Sequence, residues 1–147
     1  MSDDSDTRPT RRAQTIWQVN KLVNALMIVV VGLPLVLVLL MFVASLAGGW
    51  GDPHGYVGLF SVILVVALLA PLSLLIAGAI AMRGQHWVGF IYQILAGVVI
   101  VLYGRLIPDP RLHWTAVGVG FLLGALGVLG LLYARPVRPP RRDATGV

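Results

Sequence analysis

Two short stretches hold the acid–base and metal-ligating residues that this chain carries outside its basic flanks. One contains Asp52 and His54, the other Asp109, Arg111 and His113. Carboxylates and imidazoles ligate divalent metals and pass protons, so two aspartates and two histidines could form an acid–base pair or a metal seat. The spacing matches no metal motif, and Asp52-Pro53 and Asp109-Pro110 are turn-forming dipeptides. Asp52, His54, Asp109 and His113 are therefore read first as turn and interfacial residues, and second as the cluster of an outer-face enzyme. Gly48-Gly49-Trp50-Gly51 reads as a loop, because no lysine of a phosphate-binding loop follows it.

What the chain lacks narrows its chemistry further. It has no cysteine, which excludes disulfides, thiolate metal sites and thiol catalysis. It has no glutamate, and the third histidine, His86, also sits at the end of an apolar run rather than within one. Ion-coupled transporters place ionisable groups at membrane depth, and no Asp, Glu, Lys, Arg or His falls in the centre of any apolar run here. Small four-helix multidrug exporters are similar in size, but they rely on a membrane-embedded glutamate that this chain does not have. No metal or cofactor is expected, and the chain is read as not being an enzyme.

The elements that position these residues follow from composition. Of 147 residues, 58% are hydrophobic and 12% charged, about half the charged share of an average soluble protein. The apolar residues fall into four blocks, and ~20 consecutive ones suffice to cross a bilayer. The spans are expected at about 22–47, 56–82, 87–104 and 114–133. Residues 1–15 read as a disordered tail and 16–134 as the transmembrane domain. Residues 135–147 form a Pro-rich basic tail. The fold class is all-α: an integral membrane antiparallel four-helix bundle of two hairpins, joined by the polar turn Ala81–Trp87. A cleaved signal peptide ending near Ala47 is the rival reading of the first span, but that stretch exceeds the about 7–15 residues of a signal core.

Lipid tails are as apolar as leucine, so such helices associate through close backbone approach or interhelical hydrogen bonds. Ala116, Gly120, Gly124 and Gly127 recur at helical spacing and include a GxxxG; Gly89, Gln93 and Gly97 form a second stripe, and Ser73, Ala77 and Ala81 a third. These faces suit internal packing better than dimerisation. Pro34 and Pro71 should kink the first two spans and free the carbonyls of Val30 and Ala67. Gln93, the one amide well inside a span, is expected to donate to the Val30 carbonyl; its alternative role is a polar contact on a substrate path. Asn20 and Asn24, one turn apart, are read as capping or interfacial residues, with a partner helix or headgroups as the other option.

Nine basic residues (Arg8, Arg11, Arg12, Lys21, Arg83, Arg135, Arg138, Arg141 and Arg142) fall on one side of this topology, against Arg105 and Arg111 on the other. Positive-inside bias then puts both termini in the cytoplasm and the chain in the inner membrane. The same bias, with anionic-lipid contact by Arg135, Arg138, Arg141 and Arg142, accounts for a net charge of +5 without nucleic acid. Arginine outnumbers lysine ten to one, the usage of GC-rich bacterial genomes. The functional expectation is a small non-enzymatic membrane protein acting by helix–helix contact as accessory subunit, assembly factor or scaffold. Its partners are the lipid bilayer and a larger membrane protein or a second copy. A transporter or channel component for a neutral or apolar solute, lined by Gln93, Ser61 and Ser73, is the alternative.

Overall fold

The computed structural model describes residues 11–47 and 56–133, which form four helices and, among these residues, no strand. The helices are α1 (Arg11–Leu46), α2 (Tyr56–Arg83), α3 (Val88–Gly104) and α4 (Pro110–Tyr133). Three of them, α1, α2 and α4, are long and apolar enough to cross a membrane, while α3 is a shorter apolar helix of 17 residues. Each helix packs antiparallel on its chain neighbour, and the ring closes loosely between α1 and α4. The start of α1, the α2–α3 turn and the end of α4 lie at one end of the bundle, here the turn end.

The helix bounds differ from the expected spans at two places, each for a local reason. Residues 11–15, assigned to the disordered tail, are helical, because Ile16 and Trp17 pack on Phe90 and Met82 and carry the preceding turn with them. The fourth helix starts at Pro110 rather than Trp114. Pro110 does not stop a helix here but begins one, since a first-turn residue needs no backbone donor. The Asp109 carboxylate accepts from the Arg111 and Leu112 amides at 2.8 and 3.0 Å, the geometry of an N-cap.

The α2–α3 turn is a Schellman closure. His86 N donates to Ala81 O at 3.0 Å and Gln85 N to Met82 O at 3.2 Å. Gln85, not the neighbouring Gly84, takes the left-handed conformation, with φ 56°.

Packing is concentrated toward the turn end. The inward face of α1 is Asn20, Asn24, Met27, Val31 and Leu35, and no residue beyond Leu35 in that helix is buried. In α2, Ser61 is the sole buried residue before Pro71. Extending the Gly78–Gly89 contact along both antiparallel helices brings Gly104, the end of α3, level with about Ile63. The α1–α2 hairpin therefore runs past the end of α3 by ~10 Å, whereas α4, whose Ala116 meets Gly104, continues ~9 Å beyond it. The outward surface is apolar throughout: Leu26 is 60% exposed, Leu40 61% and Phe60 64%.

Candidate functional site

Along the bundle axis at the turn end the inward residues fall into three layers. The outermost is aromatic and apolar: Trp17 and Phe90 meet at a 55° tilt with ring centroids 4.7 Å apart, beside Met82 and Ile16. Lys21 Nζ lies 5.8 Å from the Trp17 ring centroid, within reach of a cation–π contact. The third layer, toward the middle of the bundle, is a dry cluster of Met27, Val31, Leu75, Ala96 and Leu123. Between and beside them lie three amides, Asn20, Asn24 and Gln93, all with 0% exposure; Asn20 and Gln93 each stand about one turn, ~6 Å, from the level of Asn24 and Gly89, on opposite sides of it.

The register that assembles this layer is visible at Gly78. A Cβ placed on Gly78 would meet Gly89 O at 3.3 Å, Tyr92 Cβ at 3.4 Å and Asn24 Nδ2 at 3.8 Å. Asn24 is thus inserted where α2 and α3 come closest, and its Nδ2 donates to Leu75 O at 2.8 Å, clamping α1 to α2. Asn20 Nδ2 donates within its own helix to Ile16 O at 2.9 Å. Gln93 follows Tyr92 and lies one turn beyond Gly89 on the same face. Four polar atoms have no partner: Oδ1 of Asn20, Oδ1 of Asn24, and both Oε1 and Nε2 of Gln93. A buried polar atom without a hydrogen bond costs about 1–3 kcal/mol, so four of them in this half of the bundle call for an occupant or a role.

This arrangement corrects two expectations. Gln93 does not donate to Val30: Val30 is 52% exposed on the outer face of α1, and neither amide atom of Gln93 has a partner. Asn20 and Asn24 are not interfacial but interior, because helical spacing puts them in line with Met27, Val31 and Leu35. Their burial was missed because proximity to the charged tail was weighted above this alignment.

The small residues fall as follows. A Cβ on Gly97 would lie 2.6 Å from Gly120 O and 3.0 Å from Gly124 N, and one on Gly120 would lie 2.6 Å from Gly97 O. These two glycines let the α3 and α4 backbones touch. Ala116 meets Gly104, while Gly89 fits against Met82 and Gly78, and Gly127 against Ile94 and Phe90. Gly124 behaves differently: its own side-chain direction opens into empty space, on a shallow apolar groove of about 350 Å³. On α2 the buried face is Pro71, Leu75, Gly78 and Met82 rather than the Ser73, Ala77 and Ala81 stripe. Ser73 is exposed and its hydroxyl turns back to Ala70 O at 2.9 Å. Pro34 and Pro71 both sit within continuous helices, Pro34 exposed and Pro71 buried.

Of the acid–base residues, Asp52 and His54 lie outside the described residues, as do Arg135, Arg138, Arg141 and Arg142. Asp109 caps α4. His113 Nδ1 lies 3.0 Å from Gly104 O; a carbonyl only accepts, so Nδ1 carries the proton and ties the start of α4 to the end of α3. Both side chains are thus engaged in holding the α3–α4 connection, and Arg111 is exposed beside them. Among the described residues no group of three or more His, Asp or Glu is placed to hold a metal ion. At the turn end, a cleft of about 660 Å³ between the start of α1 and the end of α4 is bordered by Arg11, Arg12, Ile16, Leu129 and Tyr133. Compared with known proteins, the chain matches no family model, no curated protein and no solved structure.

Proposed function

We propose that this is a small, non-enzymatic, multi-pass protein of the bacterial inner membrane that works by binding another membrane-spanning chain, as accessory subunit, assembly factor or scaffold. The observation that carries the proposal is the uneven packing of the bundle, together with a short α3. Beyond Leu35 in α1 and before Pro71 in α2 a single residue, Ser61, is buried, α4 buries none before Gly120, and α3 ends partway along this region. The bundle is packed at one end and loose at the other, where the outer halves of α1 and α2 form a sparsely buried arm. In a bilayer whose hydrocarbon core is about 30 Å thick, α3 at ~25 Å falls short of crossing, whereas α1, α2 and α4 exceed the thickness. A helix from another chain, seated on the arm beyond the end of α3, would complete the four-helix cross-section there.

The turn end is assigned to the cytoplasm, with both termini, because Arg11, Arg12, Lys21 and Arg83 gather there and the sequence continues from Tyr133 into four more arginines. Anionic headgroups are the natural counterions of this end, and the cleft bordered by Arg11 and Arg12 favours the same reading.

Mild detergent extraction of a tagged copy from its native membrane, followed by mass spectrometry, tests the proposal. A stoichiometric membrane-protein partner, or a stable homo-oligomer, is the expected result; a lone monomer in several mild detergents contradicts it. A pathway for a small neutral solute is the second reading, favoured by the buried amide layer. Against it, Ser73 points away from the interior and does not share a path with Gln93.

A further inference from the structure

We propose that Asn20, Asn24 and Gln93 form a closed internal binding site for water, in the half of the bundle nearest the turn end. The orientation of both asparagines is fixed by their partners. Ile16 O and Leu75 O accept at 2.9 and 2.8 Å, so the nitrogen of each amide must face its carbonyl and the oxygen must face away from it. Those oxygens have no partner and the side chains have no exposure. Gln93 lacks any fixed partner, so its amide is free to present either end.

The unmet groups match what water supplies. Asn20 and Asn24 stand one turn apart, with Cβ atoms about 5–6 Å from each other, a separation that one water can bridge by donating a hydrogen to each Oδ1. Gln93 stands about two turns from Asn20 along the axis and does not reach that water directly. A second water, donating to Gln93 Oε1 and to the first, links it to the pair. Buried waters typically make about three such bonds to otherwise unsatisfied groups. The occupant is uncharged, since the layer holds amides and no carboxylate or cationic side chain. It is also enclosed: Trp17, Phe90 and Met82 close the layer on one side, and Met27, Leu75 and Leu123 on the other. The inference does not depend on the partner-binding role proposed above.

Infrared difference spectroscopy of the purified full-length protein in H2(16)O and H2(18)O tests it. The wild type should show a narrow O–H stretching band that shifts on isotope exchange and persists after bulk water is removed. Gln93→Leu and Asn24→Leu should each lose the band, whereas Val29→Leu on the outer face should retain it. Gln93→Leu should also melt at a lower temperature, because the second water loses its protein partner and the first loses its donor. Absence of the band in the wild type overturns the proposal without reference to any variant. A higher melting temperature for Gln93→Leu overturns it too, since a dry layer gains when two unsatisfied atoms are removed. A lower melting temperature without an isotope-sensitive band would mean that the amides bond one another directly, which also contradicts it.

Discussion

At the scale of single residues, the glycines divide by what lies in front of them rather than by motif. Gly120 and Gly124 belong to the same GxxxG, yet one faces the α3 backbone and the other faces open space. Gly97→Ala and Gly120→Ala should each destabilise the bundle by about 1–3 kcal/mol through overpacking against backbone. Gly124→Ala should instead stabilise it by about 0.5–1 kcal/mol, the usual gain within a helix; denaturation in mixed micelles would rank the three. Gln85→Gly should raise stability by about 1 kcal/mol in the same assay, because a side chain at φ 56° carries a steric cost that glycine lacks. The sequence made the tight α3–α4 approach legible in its Gly97 and Gly120 spacing. It did not reveal which residue of the α2–α3 turn would be left-handed: a glycine, Gly84, is present, yet the closure pattern puts Gln85 there. Gly78 carries no comparable signal, since no second glycine marks its face of α2.

Among the elements, the ends of α4 and α1 were the least legible, and the reasons are chemical. A proline pair after an apolar run suggests a stop, but Asp109 before Pro110 supplies the cap and the permitted first-turn proline, so a helix begins. Asp109→Ala should cost about 1 kcal/mol and speed hydrogen exchange at the Arg111 and Leu112 amides more than elsewhere in α4. Unchanged exchange at those two amides would contradict the capping role. Burial also overrode expectation in α1. Asn20 and Asn24 are polar and close to a charged tail, yet the same periodicity that buries Met27, Val31 and Leu35 buries them. The number and order of the apolar helices, by contrast, were plain from the four apolar blocks. Apolar run lengths of that kind leave little ambiguity, whereas amide placement depends on which helix face meets a neighbour.

For the whole molecule, the account rests on topology and on the sparsely buried arm of α1 and α2. The chain contains no cysteine, so single cysteines can be introduced without removing native ones. In intact cells, a cysteine at Pro108 should react with an impermeant maleimide and one at Gln85 should not until the membrane is opened; the reverse pattern would invert the orientation. The arm is tested most directly by photo-crosslinking in the native membrane, with a photoreactive residue at Leu40 or Phe60 on the arm and at Phe121 on the outer face of α4. All three positions are similarly exposed, at 61%, 64% and 66%, so differences report a partner rather than accessibility. The account predicts a discrete protein adduct from Leu40 and Phe60, with a mass above that of this chain alone, and lipid adducts only from Phe121. Lipid adducts alone from all three positions would contradict it.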